Sequence, residues 1–150
     1  MKPAAAVLFF NMAIIFLLGS CAGAPTGRTT ALQEAADEGD IRVIEELISE
    51  DSDVDSRDKE GRTALHHAAI SGNILITAAL LNAGASPDIQ DKSGRVPLHY
   101  AVLSCNPDLT AMLLAADADP FIADKNDETP LDMAVESGCE EVEQTINSSL

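Results

Sequence analysis

Apolar residues recur along the chain in a fixed pattern. The segments TALQEAADEGD, TALHHAAISGN, VPLHYAVLSCN and TPLDMAVESGC each begin 33 residues after the one before, starting from Thr30. When they are aligned, four positions stay apolar in every unit. These positions are Leu32, Leu65, Leu98 and Leu131; Ala35, Ala68, Ala101 and Ala134; Val43, Ile76, Leu109 and Val142; and Leu47, Leu80, Leu113 and Ile146. A period held in all the units predicts a repeat architecture.

Two helices are predicted in each unit. Leu65, Ala68 and Ala69 lie at helical spacing, and the alanines let a neighbouring helix approach closely. A second helix carries larger apolar residues, such as Leu80 and Leu81. The two positions between the helices suit a left-handed C-cap and then an N-cap. They are occupied by Gly39, Gly72 and Gly138, and by Asp40, Asn73 and Asn106.

Cysteine interrupts this scheme in the third unit, where Cys105 takes the glycine position. A left-handed backbone at a non-glycine residue costs about 1–2 kcal/mol, so we expect the third unit to be the least regular. Cys139 lies in the next unit, one position further along. Export would allow the pair to oxidise. Helices pack about 8–10 Å apart, whereas a disulfide needs Cα atoms within about 7 Å, so both redox states stay open.

The units resemble the ankyrin repeat. Marks of that family are a Thr-Pro-Leu-His start, paired alanines and a Gly-Ala-Asp turn, and the segments TALHHAA and VPLHYAV match the start well. The first unit lacks the proline and histidine of that start. The resemblance implies an all-α solenoid of helix–turn–helix units with projecting β-turn fingers. It covers residues 29–150, with units at 29–60, 61–93, 94–126 and 127–150.

A signal peptide is predicted ahead of the repeats. Lys2 precedes AAAVLFFNMAIIFLLG, whose roughly 16 helical residues would span about 24 Å, short of a ~30 Å hydrocarbon core. This length is typical of the apolar region of a signal peptide. The segment LGSC resembles the bacterial lipobox, which implies that Cys21 is lipidated on sulfur and becomes the first mature residue. Ordinary cleavage after Ala22 is the alternative.

These features predict the domain organisation and the location. Residues 1–20 form the signal peptide, residues 21–28 the lipidated cysteine and a tether, and residues 29–150 the repeat domain. A lipid anchor places the domain at the cell membrane or the outer membrane, on the periplasmic side. Ala22 stands where the inner-membrane retention signal of lipoproteins would be an aspartate, which favours the outer membrane.

Charge limits the classes of partner. The chain carries 25 acidic and 9 basic residues, a net charge of −16. Such a chain repels phosphate backbones, so we expect no nucleic-acid partner. Lys2 lies in the leader, and six of the other eight basic residues lie at or beside the predicted fingers. These six are Arg57, Lys59, Arg62, Lys92, Arg95 and Lys125, and they distinguish the fingers from an acidic remainder.

Several residues imitate metal sites. Adjacent His66 and His67 diverge by about 100° on a helix and cannot easily meet one zinc ion, which needs three or four ligands. The ankyrin resemblance gives His66 a structural role, a hydrogen bond to the backbone of the neighbouring turn. The segment DSDVDSRDKEGR has carboxylates spaced as in a calcium loop, but Ser56 and Arg62 stand where that loop needs glycine and glutamate. We therefore expect no metal and no cofactor.

No enzymatic activity is expected either. A cysteine nucleophile beside His66 or His99 would need conditions that favour its thiolate, and the many carboxylates of this chain do the opposite. The sequence has no Gly-rich phosphate loop and no Ser-His-Asp arrangement. The ankyrin resemblance also gives the histidine position a structural use.

Protein binding is the predicted function. The resemblance implies partner contacts at the fingers and on the concave face formed by the first helices. Ile70 and Leu103 are apolar at places that are usually wet, which favours a binding surface. We expect a monomeric, membrane-anchored module that binds an unknown protein in a bacterial cell envelope; the alternatives are a passive structural or regulatory spacer and a secreted protein without the lipid anchor. The predicted contact residues are Lys59, Glu60, Arg62, Lys92, Ser93, Arg95, Lys125 and Asn126 at the fingers, and His67, Ile70, Tyr100, Leu103 and Met133 on the inner helices.

Overall fold

A computed structural model describes residues 30–150, which form four pairs of α-helices. The pairs are α1 (Ala31–Glu38) with α2 (Ile41–Ser49), α3 (Ala64–Ser71) with α4 (Ile74–Asn82), α5 (Pro97–Leu103) with α6 (Pro107–Ala115), and α7 (Pro130–Ser137) with α8 (Glu140–Ser149). No β-strand occurs within this range. The all-α repeat fold is therefore confirmed. The predicted signal peptide, Cys21 and the tether lie outside the described residues.

The helices form two layers. The first helix of each pair packs on the first helix of the next pair, and the second helices stack in the same order. We call α1, α3, α5 and α7 the inner helices and the others the outer helices. The loops 50–63, 83–96 and 116–129 join successive pairs and are called the first, second and third fingers. Among residues 30–150, no helix has the length and apolar character needed to cross a bilayer.

Apolar residues at the repeated positions form the core. Leu65, Leu98, Leu80 and Leu113 have no accessible surface. Most of the core is one cluster that extends through the first three units. The fourth unit shares a second, smaller cluster with the third. Its buried members are Val102, Met133, Ala134, Val142 and Ile146.

The first outer helix departs from the predicted pattern. Val43, predicted at a core position, is 37% exposed, whereas its neighbour Ile44 is fully buried. Leu47 is only partly buried. The reason is that α2 packs on a single outer helix, α4, whereas α4 and α6 each have an outer neighbour on both sides. A helix with one such neighbour buries a narrower stripe of its surface.

The predicted helix caps are confirmed. Gly39, Gly72 and Gly138 end the inner helices of their units in the left-handed conformation, with φ of 76°, 69° and 69°. The residue after each of the first two glycines caps the following outer helix. Asn73, for example, accepts a hydrogen bond of 3.1 Å from the backbone N–H of Ile76. Local backbone chemistry therefore sets the turn between the two helices of a unit.

A disulfide joins Cys105 and Cys139, which decides the question that the sequence left open. Their Cα atoms are 5.7 Å apart, closer than helix packing distances suggest, because neither cysteine lies within a helix. Cys105 follows α5 with a φ of 49°, and Cys139 comes directly before α8. Helix α5 has 7 residues, against 8 in the other inner helices, so the irregularity predicted for the third unit is present. On chain-entropy grounds, a bridge across this sequence separation stabilises the fold by roughly 4 kcal/mol.

Truncation of a buried leucine tests the core. We expect Leu113→Ala to lower the free energy of unfolding by roughly 2–5 kcal/mol, because the cavity left behind adds to the lost burial. Urea denaturation followed by circular dichroism measures the change. Leu75→Ala on α4 is the matched control, since Leu75 is 70% exposed and its truncation should cost less than about 0.5 kcal/mol. Equal losses in the two variants would contradict the repeat register.

Candidate partner-binding surface

One aspartate anchors each finger. Asp58, Asp91 and Asp124 occupy the same position in the three fingers, and the exposed fractions of their side chains are 3%, 2% and 1%. In the second finger, Oδ1 of Asp91 accepts hydrogen bonds from the backbone N–H groups of Ser93 at 2.7 Å and Arg95 at 3.0 Å. The other two aspartates accept the equivalent pair of bonds. Each carboxylate therefore closes the turn of its own finger.

The second carboxylate oxygen ties one finger to the next. Oδ2 of Asp91 lies 3.5 Å from Nε of Arg62 in the first finger, and Oδ2 of Asp124 lies 3.1 Å from Nε of Arg95 in the second. The hydroxyl of Tyr100 donates to Oδ2 of Asp91 at 2.5 Å and accepts from Nη2 of Arg62 at 3.3 Å. The Arg62 guanidinium also lies 5.4 Å from the centre of the Tyr100 ring. Asp91, Arg62 and Tyr100 thus form a closed triangle.

This triangle shifts the protonation equilibria of its members. Burial by itself raises the pKa of Asp91, but hydrogen bonds from Tyr100 and from the backbone of Arg95 and Ser93 bring that pKa below its ordinary value. Burial and the neighbouring Asp91 raise the pKa of Tyr100. Burial opposes the charge of Arg62, but Tyr100 and Asp91 outweigh it and raise the pKa of Arg62. At neutral pH the aspartate is therefore ionised and the tyrosine keeps its proton, as their hydrogen bond requires.

Backbone hydrogen bonds bring the fingers into direct contact. The N–H of Lys92 donates to the carbonyl oxygen of Glu60 at 2.8 Å, and the N–H of Lys125 donates to that of Ser93 at 3.0 Å. Gly94 has a φ of 79°, and a Cβ atom there would lie 2.9 Å from the backbone nitrogen of Lys125. Only glycine permits such an approach. The three fingers therefore form one closely packed edge.

A polar side chain at the start of α1, α3 and α5 also reaches the next finger. Nδ1 of His66 accepts a hydrogen bond of 3.1 Å from the backbone N–H of Thr63, so the ring proton is on Nε2, which donates to the carbonyl oxygen of Arg95 at 3.1 Å. His99 makes the corresponding bonds one unit later, and Gln33 reaches the first finger one unit earlier. Burial lowers the pKa of His66 to about 4. The structural role predicted for His66 is confirmed.

The family model for ankyrin repeats matches the chain in three overlapping copies, over residues 5–91, 32–124 and 78–146. The chain belongs to the ankyrin-repeat family. Ankyrin repeats generally mediate protein–protein interaction, and stacked units offer an extended concave surface for it. No curated protein sequence matches the chain. The family therefore indicates the class of function, and the exposed residues have to indicate the rest.

Two predicted contact residues lie beneath the surface of the ankyrin stack. His67 is 7% exposed, and its Nδ1 and Nε2 atoms lie 2.7 Å from Oδ1 of Asp37 and 3.0 Å from Oδ2 of Asp58. Met133 is similarly buried. Both follow a finger aspartate by nine residues, as Tyr100 also does. At this position His67 and Tyr100 contact the aspartate of the finger, and Met133 packs in the cluster shared by the third and fourth units. The expectation that His67 and Met133 line the concave face is corrected, because they offer a partner almost no surface.

The described residues offer little for metal chemistry. The contact of His67 with Asp37 and Asp58 joins the first inner helix, the first finger and the second inner helix. Within residues 30–150, no group of three or more His, Cys, Asp or Glu side chains is arranged to hold a metal ion. We interpret the His67 contact as part of the ankyrin scaffold.

Two large apolar side chains are exposed at one repeated position of neighbouring inner helices. Ile70 on α3 and Leu103 on α5 are 43% and 50% exposed and hold the same position in neighbouring units. Asp37 and Glu136 hold that position in α1 and α7 and are also exposed. We call Ile70, Leu103 and the partly exposed Tyr100 the groove patch. It is an apolar surface with acidic residues at both ends.

The accessible positive charge of the finger edge comes from its lysines and from the exposed Arg57. Arg62 and Arg95 are held by buried aspartates, whereas the lysine at one position of every finger is exposed. The amine of Lys59 lies 4.0 Å from Glu60, and the other two lysines have no ion-pair partner within the described part of the chain. The exposed contact residues of the fingers are Lys59, Lys92, Ser93, Lys125 and Asn126.

Acid should weaken the contact that His66 makes. An unfolded histidine takes up a proton near pH 6.5, whereas the pKa of folded His66 is about 4, so its contribution to stability is complete above pH 6.5 and is lost as the pH falls toward 4. We expect His66→Gln to reduce the slope of unfolding free energy against pH by up to about 1.4 kcal/mol per pH unit between pH 6 and 4.5. Glutamine serves at the equivalent position in the first unit. Urea titrations at several pH values measure the slope, and an unchanged slope would contradict the assignment.

Proposed function

We propose that this ankyrin protein is a lipid-anchored binding module of a bacterial cell envelope, which holds a protein partner against the groove patch and the finger edge. The observation that carries the proposal is the pair Ile70 and Leu103, large apolar side chains exposed on adjacent inner helices of an acidic domain. Exposed apolar patches rimmed by polar residues mark interaction sites on soluble domains. A spacer has no use for such a pair.

The surroundings of the pair suit a binding hot spot. Asp91 holds the hydroxyl of Tyr100, and Arg62 lies against its ring. A side chain that is already fixed loses little further freedom when a partner covers it. Tyrosine anchors beside a small apolar patch and a polar rim are typical of interface centres. The finger lysines provide the rim on one side.

Two features support export and anchoring. The disulfide between Cys105 and Cys139 is of a kind that persists in oxidising compartments such as the bacterial periplasm. The leader ends in LGSC, which supports lipid attachment at Cys21. Several acyl chains at one terminus, at about 0.8 kcal/mol per buried CH₂, would hold the domain at a membrane.

Fatty-acid labelling tests the anchor. Bacteria that express the chain are grown with a clickable fatty acid, and we expect the wild-type protein to carry the label and to fractionate with membranes. Cys21→Ala should carry none, because the acylated sulfur is gone. Cys105→Ala is the matched control for loss of a cysteine and should stay labelled. Label in Cys21→Ala, or wild-type protein in the soluble fraction, would favour a secreted protein without the anchor.

Substitutions in the groove patch test the binding surface. Crosslinking in the native envelope followed by mass spectrometry identifies candidate partners, and the affinity of a purified candidate is then measured. We expect Ile70→Glu and Leu103→Glu each to weaken binding at least about tenfold, a loss of about 1.4 kcal/mol, at an unchanged melting temperature. The reason is that both side chains are already exposed, so only the partner loses apolar contact.

Leu75→Glu is the matched control for these variants. Leu75 is an exposed leucine on outer helix α4, on the layer opposite to the groove patch. Its substitution should leave the affinity unchanged. If Leu75→Glu alone weakens binding, the interface lies on the outer helices. If all three variants bind like the wild type, the interface lies elsewhere and the groove patch is not the binding site.

A further inference from the structure

Both cysteines of the disulfide replace residues that suit the local backbone better. Cys105 has a φ of 49° at the position of Gly72, where glycine adopts the left-handed conformation without steric cost. Cys139 stands at the position of Asn73 and Asn106, which cap their outer helices, and makes no side-chain cap bond itself. Each cysteine therefore weakens its own turn. The bond between them is the interaction that offsets both losses.

The fourth repeat buries fewer side chains than the interior repeats. Helix α8 buries two residues, Val142 and Ile146, whereas α4 and α6 each bury three. The small cluster that these residues belong to is separate from the main core. Val135 on α7, at the position of the buried Ala69, is 56% exposed. The fourth repeat is thus held chiefly from one side.

The bond is open to a reductant. Cys105 is exposed and Cys139 is partly exposed. They border an open cleft of about 430 Å³, which is otherwise lined by residues 137, 138 and 140–142. The cleft lies at the turns between inner and outer helices, at the opposite end of the helices from the fingers. A small dithiol can therefore reach the sulfur atoms without disturbing the finger edge.

We propose that the Cys105–Cys139 disulfide is a redox-dependent latch on the fourth repeat. While the bond is intact, α7 and α8 stay packed on the third repeat. Reduction releases them, while the first three repeats remain folded on the larger core. The latch is a property of the fold and does not depend on partner binding. Only its effect on a partner rests on the proposed function. Because α7 forms one end of the concave face, its release shortens the surface that a partner contacts.

The redox step is a thiol–disulfide exchange with a dithiol reductant. A thiolate of the dithiol attacks one cysteine sulfur, and the electron pair of the S–S bond leaves on the other sulfur, which takes up a proton. The second thiol of the reductant, as thiolate, then attacks the mixed disulfide and displaces the first cysteine sulfur, which is protonated in turn. Two cysteine thiols remain in the protein, and the reductant leaves as its own disulfide.

Hydrogen–deuterium exchange with mass spectrometry tests the latch on the full-length protein in detergent micelles. Exchange is compared between the oxidised wild type and the same protein reduced with dithiothreitol. We expect amide exchange in α7 and α8 to become at least tenfold faster on reduction, with α3 and α4 unchanged. Unchanged exchange in α7 and α8, or equal acceleration in all helices, would overturn the proposal.

Two double variants separate loss of the bond from other effects of the reductant. Cys105→Gly with Cys139→Asn restores the residues of the second repeat, so α7 and α8 should stay protected with or without dithiothreitol. Cys105→Ala with Cys139→Ala has neither the bond nor the caps, and these helices should exchange fast in both conditions. Slow amide exchange of α7 and α8 in the alanine variant would contradict the proposal. Faster exchange of the Gly/Asn variant in dithiothreitol would also contradict it. Neither readout involves a partner or a lipid, so the result is independent of the proposed function.

Discussion

The structure depends on polar contacts that reach from each repeat into the next. Helices of 7 to 10 residues are too short to be stable alone, so each unit needs its neighbours to complete it. Asp91 shows how this works, because one of its carboxylate oxygens closes the second finger while the other meets Arg62 of the first. A buried carboxylate without such partners would be costly. Arg62 of the preceding finger therefore adds to the hydrogen bonds from Ser93, Arg95 and Tyr100 that stabilise the buried aspartate.

The same contacts decide which residues are left for a partner. Arg62 and Tyr100 belong to the scaffold and to the surface at once, since both contact Asp91 and both are partly exposed. Ile70 and Leu103 do not belong to the scaffold in this way, because their side chains lie largely outside the core. Exposed positions such as these two can be substituted with little effect on folding. Specificity for a partner is therefore most easily placed there, on a scaffold that is shared by the whole family.

Periodicity was sufficient to predict the repeat architecture and the glycine caps, because both depend on a fixed offset between units. The all-α solenoid and the role of His66 were implied by the resemblance to the ankyrin repeat. The pairing of Arg62 with Asp91 and of Arg95 with Asp124 has the same offset, 29 residues, so that signal was also present in the sequence.

The burial of His67 could not be predicted from offsets between repeats. It depends on two carboxylates from separate segments, Asp37 and Asp58, and the next two inner helices carry the apolar Ile70 and Leu103 at the position of Asp37. The sequence left the disulfide undecided for a related reason. Packing distances describe helices, whereas Cys105 and Cys139 lie in the turns beside them.

The fourth repeat differs from the interior repeats in its polar contacts. Positions that donate to the next finger in the interior repeats carry acidic residues here, with Glu128 in place of Arg95 and Asp132 in place of His99. Asp132 accepts hydrogen bonds from the backbone N–H and the hydroxyl of Thr129 in its own unit, and Glu128 is partly exposed. The fourth repeat therefore makes no contact of this kind with a following finger within the described residues. Its covalent bond to Cys105 joins it to the third repeat instead. A disulfide of this kind is suited to an oxidising compartment, which agrees with the export that we propose.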